Sequence, residues 1–325
     1  MTEILGIGLG IALLLAGATA LIGGASQIAT RWGVSEIIVG LTIVAFGTSL
    51  PELVVNILSA LRGETDLAFG NVVGSNIANF GLVLGAAAAI APMHIHGQLI
   101  RRELPLLLLA TLVITVMALD SVFDGTSPYI GRSESIVLLL LFFVFLYLMA
   151  GDMLRAQDDE PLLAEIGSAT HAVATSADKY RWVLVIFGIA LLYAGGDLTV
   201  RYATAMALRL EISATLVGLF VVAIGTSLPE LVTSIIAAIR KSPDLALGNI
   251  VGSNIFNALF VLPCAGMWHG LVIPRGGVID LLMSLLFVGA IIPVFYLGQA
   301  RLGRPVALAF LGAYCVYAVW RVSSA

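Results

Sequence analysis

One stretch of this chain occurs twice, and that repeat limits the possible folds more than any other feature. Gly40–Gly85 reads GLTIVAFGTSLPELVVNILSALRGETDLAFGNVVGSNIANFGLVLG, and from Gly218 the chain reads GLFVVAIGTSLPELVTSIIAAIRKSPDLALGNIVGSNIFNALFVLP. The copies align without a gap at a constant separation of 178 residues (230 − 52), which pairs Glu52 with Glu230, Ser75 with Ser253 and Asn79 with Asn257. Agreement is best at the polar positions, where packing alone gives no reason to keep it. Each copy sets a glutamate, asparagines and hydroxyls in an apolar background. In lipid that combination is costly, and it suits the holding of a cation.

The apolar background fixes the class of protein. With 60% hydrophobic and 11% charged residues and a mean hydropathy of +1.06, the chain is far from a soluble globular composition, where about a quarter of residues are charged. A polytopic helical membrane protein fits. The small net charge of −4 points to no nucleic-acid partner, and Cys264 and Cys315 lie in apolar stretches, against a disulfide framework. The first apolar run lacks the basic start of a signal peptide and is long enough to cross a bilayer, so it reads as a retained helix.

Apolar runs bounded by charges and turn residues predict ten spans: Ile4–Gly23, Ile37–Leu61, Leu67–Ala91, Leu104–Leu119, Ser135–Ala150, Trp182–Tyr202, Ala214–Ile239, Leu245–Trp268, Val278–Leu297 and Val306–Trp320. The stretch Gly151–Arg181, with its acidic QDDEP, reads as a solvated loop. The resulting organisation is a first five-helix repeat over 1–151, a cytoplasmic acidic linker over 152–181, and a second repeat over 182–325. Each motif lies five spans from its counterpart, and five is odd, so the halves cross the membrane in opposite senses. Inverted repeats of this kind place substrate sites near the midplane and suit alternating access. Arginine and lysine counts favour both termini outside the cytoplasm, in the cell (inner) membrane.

The motif residues themselves predict a cation site. Pro51 and Pro229 lack an N–H, so the helices of GTSLPE should break there and expose carbonyls beside Thr48 and Ser49, or Thr226 and Ser227. Glu52 and Glu230 have no lysine or arginine at their depth; Arg62 and Arg240 are ten residues further on, about 15 Å along a helix. Two antiparallel legs of similar length bring Asn79 to the level of Glu52 and Asn257 to that of Glu230, with Ser75 and Ser253 one turn away. Gly70 and Gly74, like Gly248 and Gly252, form GxxxG rows that permit close helix packing. The resulting set of ligands is all oxygen, which suits hard cations such as Ca²⁺ and Na⁺. Two carboxylates balance one Ca²⁺ or two monovalent ions, a physical basis for exchange.

Doubled GTSLPE followed by GSNI resembles the two α-repeats of the cation/Ca²⁺ exchanger superfamily, in particular the prokaryotic sodium/calcium exchangers. The resemblance implies an all-α integral membrane fold of ten transmembrane helices as two inverted five-helix repeats, with kinked helices 2 and 7 beside helices 3 and 8. It implies a secondary-active antiporter that moves Ca²⁺ against Na⁺ (or H⁺), with the first and sixth spans sliding across a fixed bundle. Carried onto matching positions, it assigns ion ligation to Glu52, Asn79, Thr48, Ser49, Ser75 and the carbonyl of Ala45, and to Glu230, Asn257, Thr226, Ser227, Ser253 and the carbonyl of Ala223. Several members carry aspartate at one of the two positions that are Asn79 and Asn257 here, so this chain has one ionisable group fewer.

Other readings take less of the sequence with them. A proton-coupled divalent-cation antiporter keeps the site and changes the coupling ion; a cation channel keeps the site and drops the coupling. An intramembrane hydrolase using Ser49 or Ser227 lacks a histidine or lysine base in any span. The expected partners are Ca²⁺, Na⁺ and the bilayer, with no enzyme chemistry, cofactor or obligatory protein partner. Asp197 and Arg201 read as an interfacial i, i+4 pair, His94 and His96 as loop residues, and Asp66 and Asp244 as first-turn acids favoured by the helix dipole.

Overall fold

The computed structural model describes residues 2–94, 99–119, 129–158, 174–209, 223–297 and 300–323. The chain is a helical bundle. In chain order its helices are α1 (Thr2–Trp32), α2 (Glu36–Thr48), α3 (Leu50–Leu61), α4 (Thr65–Ile90), α5 (Leu104–Ala118), α6 (Arg132–Asp158), α7 (Ala174–Arg209), α8 (Ala223–Thr226), α9 (Leu228–Ile239), α10 (Pro243–Trp268), α11 (Gly277–Leu297) and α12 (Arg304–Ser323). Among the described residues seven are long and apolar enough to cross a membrane, or eight with α2 and α3 counted as one bent span. Helices suit such a solvent because they satisfy their backbone hydrogen bonds internally.

Hydropathy located these helices but not their ends. α1 runs on to Trp32 and α7 occupies Ala174–Arg209, well past the apolar runs that marked them. The expected loop Gly151–Arg181 is helical at both ends, as α6 continues to Asp158 and α7 begins at Ala174. Backbone bonding continues wherever no breaker intervenes, whereas hydropathy records only the part suited to lipid. Residues 159–173 of that expected linker, His96, and the first part of the expected seventh span (214–222) lie outside the described residues.

The two motif-bearing helices are the most enclosed: 94% of the apolar stretch of α10 and 72% of that of α4 is buried, against 11% for α12. They form the centre and the other helices surround them. α12 packs on α4 where Gly81 meets Tyr314 and Gly85 meets Leu311. On α10, Phe256 and Phe260 stack with ring centroids 4.9 Å apart, and Phe142 of α6 lies 4.9 Å from Phe260. α1 and α7 run antiparallel along their full length, with Gly10 and Gly17 against the backbones of Gly195 and Gly188. A Glu3–Arg209 ion pair at 2.8 Å joins one end of this helix pair, and Trp32 and Trp182 meet at the other.

The repeat reappears in the contacts between chain segments. Strand β1 (Met93–His94) pairs antiparallel with β4 (Arg301–Leu302), and β2 (Tyr129–Ile130) with β3 (Leu271–Val272). Each small ribbon joins a connection from one half to a connection from the other. Polar contacts between helix ends also cross between the halves: Glu36 accepts from Ser242, and Arg132 donates to the carbonyl of Trp268. None of these ribbons was expected from the sequence, since two-residue strands carry no periodicity to detect.

Candidate functional site

The local chain path explains how polar side chains reach the centre. α2 ends at Thr48, Ser49 leaves helical geometry at φ −87° and ψ 6°, and α3 begins at Leu50 with a 45° change of direction. The second copy repeats this at Ser227, with φ −88° and ψ 5°. The break falls on the serine, two residues before each proline. Pro51 and Pro229 then occupy the first turn of α3 and α9, where a missing N–H costs nothing because that turn has no intrahelical acceptor to reach. Leu50 stays helical although it precedes a proline, and the serine takes up the distortion instead. Ser49 N–H still bonds the Ala45 carbonyl at 3.0 Å, so that oxygen keeps a backbone partner.

Further irregularities occur at the asparagines. α4 widens into a π-helical turn at Asn79–Leu84 and α10 does so at Asn257–Val261, each beginning at the motif asparagine; α2 widens at Gly40–Val44. Such turns are common at functional sites. They were not read from the sequence, which carries no local signal for them.

Glu52 and Glu230 are both fully buried and close enough to interact electrostatically. Glu230 Oε1 accepts from Ser49 Oγ at 2.9 Å, and Ser253 Oγ lies 3.5 Å away. Thr48 Oγ1 donates to Asn249 Oδ1 at 3.0 Å and sits 3.4 Å from Ser253 Oγ. Five motif residues from both repeats, Thr48, Ser49, Glu230, Ser253 and Asn249, therefore form one hydrogen-bonded group. Thr226 Oγ1 donates to Asn71 Oδ1 at 3.1 Å, the same contact with the repeats exchanged. Each threonine of a broken helix is thus held by the central helix of the opposite repeat.

The remaining expected residues are buried without protein partners at key atoms. Among the described residues neither oxygen of Glu52 has a hydrogen-bond partner, and the same holds for Asn79 Oδ1, Ser75 Oγ, Ser227 Oγ, Glu230 Oε2 and both amide atoms of Asn257. Buried polar atoms are nearly always partnered, and each exception asks for a reason. Here the exceptions cluster on the doubled motif, and most are acceptors or hydroxyls. Together they can offer oxygens to a cation, and among the described residues no cationic side chain is bonded to either carboxylate. Ala223 begins α8; its backbone is helical.

Sequence reasoning overlooked the asparagines Asn71, Asn76, Asn249 and Asn254, all buried, and Asn56, whose Nδ2 donates to the Glu52 carbonyl at 2.7 Å. The signal for the first four was present: they too recur at the 178-residue separation. Asp197 and Arg201 form the expected pair at 3.4 Å, both exposed. Asp197 also lines a cleft of about 170 Å³ between α7 and the two proline turns, with Pro51, Thr226 and Pro229 on its other wall.

This arrangement defines a helical membrane protein with a buried oxygen-rich centre shared by two copies of one motif. A sequence model of the sodium/calcium exchanger protein family matches residues 2–151 and 180–323, and the chain belongs to that family. It is similar to the putative antiporter CaxA of Alkalimonas amylolytica, at 41% identity over 253 residues covering 78% of this chain and 76% of that protein. The sodium/calcium exchanger MaX1 of Methanosarcina acetivorans is 30% identical over 303 residues, covering 86% and 85%. The inner membrane protein YrbG of Escherichia coli is 36% identical over 258 residues, covering 78% and 76%. Among solved structures, the sodium-calcium exchanger NCX_Mj soaked with Na⁺ and Sr²⁺ superposes with a TM-score of 0.80 at 28% identity, covering 98% of this chain and 97% of that one.

Proposed function

We propose that this protein is a secondary-active antiporter that exchanges Ca²⁺ for Na⁺ by alternating access at the centre between α4 and α10. The observation that carries the proposal is Glu52: a fully buried carboxylate within electrostatic reach of Glu230, with no hydrogen-bond partner for either oxygen among the described residues. An unpaired carboxylate at membrane depth costs about 2.5–3.5 kcal/mol even on the lenient insertion scale, so a transported cation is its natural partner. The ligands would be Glu52, Glu230, Asn79, Asn257, Thr48, Ser49, Thr226, Ser227, Ser75 and Ser253, with the carbonyls of Ala45 and Ala223. Ten spans in two inverted repeats over 1–151 and 182–325, joined by 152–181, would place both termini outside the cytoplasm.

Alternating access needs an opening that leads toward the site, and Thr226 lines the cleft beside α7. The cleft lies toward the end of α7 at which Arg209 pairs with Glu3, the outer end in the proposed topology. The α1–α7 pair, joined along its length, is suited to move as one body across the centre.

A proton-coupled exchange is the second reading. It is favoured by asparagine at both 79 and 257, which leaves one ionisable group fewer for sodium coupling. Uptake of ⁴⁵Ca²⁺ into proteoliposomes under opposed gradients separates the two. Uptake driven by an outward Na⁺ gradient supports Na⁺ coupling, and Na⁺-independent uptake driven by a pH gradient supports the alternative. Uptake with no counter-ion gradient at all would overturn the antiport proposal in favour of a channel.

A further inference from the structure

Asparagine is an ambiguous cation ligand. Its Oδ1 attracts a cation and its Nδ2 repels one, and the two ends occupy nearly the same volume. A buried asparagine therefore ligates well only if something decides which end faces the ion. For Asn79 the structure contains such a device, and it begins at a group with no ambiguity. The backbone carbonyl of Asn76 can only accept. Asn254 Nδ2 donates to it at 3.0 Å, which turns Asn254 Oδ1 the other way. That oxygen accepts from Asn79 Nδ2 at 2.8 Å. With its amide nitrogen held, Asn79 turns its Oδ1 away from Asn254; the atom is buried and has no hydrogen-bond partner among the described residues.

From this chain of constraints we infer that Asn254 is a positioning residue that aims the carbonyl oxygen of Asn79 at the cation. Asn254 is itself fully buried, and both ends of its amide are engaged within the protein, so it acts through Asn79 and not as a ligand. The inference rests on the proposed reading of Asn79 as a ligand.

The other repeat lacks the equivalent arrangement. Asn76 Nδ2 reaches the Asn254 carbonyl at 3.4 Å, so the two central helices clasp each other reciprocally. Yet Asn76 Oδ1 accepts nothing, and neither amide atom of Asn257 has a partner among the described residues. Two ligands of identical chemistry are therefore prepared differently. Asn79 is fixed in orientation before an ion arrives, whereas Asn257 must choose its orientation when one does. Fixing a ligand beforehand removes that ordering cost from binding.

The test is a double-mutant cycle on the full-length protein in proteoliposomes, reading the Ca²⁺ dependence of ⁴⁵Ca²⁺ uptake. Asn254→Ala is expected to raise KM for Ca²⁺ about three- to tenfold, the loss of one orienting hydrogen bond, with kcat little changed. Asn79→Ala should raise KM as well, and adding Asn254→Ala to it should change KM no further. Asn76→Ala keeps the backbone carbonyl that anchors Asn254 and removes only the 3.4 Å contact to the Asn254 carbonyl, so its KM should rise less than that of Asn254→Ala. Should Asn254→Ala fail to give monodisperse protein, the near-isosteric Asn254→Leu takes its place with the same expectation. Additive effects of Asn254→Ala and Asn79→Ala, an unchanged KM for Asn254→Ala, or an Asn76→Ala as damaging as Asn254→Ala would overturn the positioning role alone. An unchanged KM for Asn79→Ala would remove the ligand reading, and the positioning role with it.

Discussion

Adding one methyl group to Gly252 should damage both stability and transport. A Cβ built on Gly252 would lie 2.5 Å from the Leu41 carbonyl oxygen and 2.7 Å from Leu41 Cα, and one on Gly248 would lie 2.5 Å from the Ile37 carbonyl oxygen. Ordinary contact begins at 3.4 Å, so α2 and α10 must separate by about 0.9 Å (3.4 − 2.5). Backbone cannot rotate aside as a side chain can, and overpacking of this kind costs about 1–3 kcal/mol, offset by up to about 1 kcal/mol of helix propensity for alanine over glycine. The same separation would stretch the 3.0 Å contact between Thr48 and Asn249 to about 3.9 Å, beyond hydrogen-bonding range. Losing that bond, at about 1 kcal/mol, corresponds to a roughly fivefold rise in KM for Ca²⁺. Thermal unfolding in detergent and ⁴⁵Ca²⁺ uptake in proteoliposomes read the two effects. If Gly252→Ala changes neither, the tight backbone contact between α2 and α10 is not what holds Thr48 in place.

Four further outcomes are expected. Glu52→Gln and Glu230→Gln should each abolish Ca²⁺ uptake while leaving a folded, monodisperse protein; near-normal exchange by either variant would remove that glutamate from the ligand set. Saturating Ca²⁺, at about a hundred times its Kd, should stabilise the wild type by about 2.7 kcal/mol, and chelation or Glu52→Gln should eliminate the shift in melting temperature. Thr48→Val and Asn249→Ala should each raise KM for Ca²⁺ about fivefold through the same lost bond, and the double variant should be no worse than either; additive effects would show independent roles. Lys241 occupies a left-handed turn at φ 63° where the first repeat has Gly63 at φ 77°. Lys241→Gly should therefore be neutral or stabilising by up to about 1 kcal/mol, and a lowered melting temperature would contradict this.

The sequence by itself determined the class, the repeat and the candidate site residues. Apolar runs leave helices as the only means of satisfying the backbone in lipid, and identical polar residues at one fixed separation mark Glu52, Glu230, Asn79 and Asn257, because lipid makes each of them expensive to keep. The same reasoning would have found Asn71, Asn76, Asn249 and Asn254 had the rule been applied to every doubled polar position. What only tertiary structure decided is how those residues divide the work. Glu230 is held by Ser49 and Asn79 by Asn254, while among the described residues the Glu52 carboxylate and the Asn257 amide have no hydrogen-bond partner. Two copies of one motif encode the same side chains, so nothing local distinguishes them. The difference arises because the contact that orients each side chain comes from the opposite repeat, as Ser49 does for Glu230 and Asn254 for Asn79, and such pairings are a property of the whole packing.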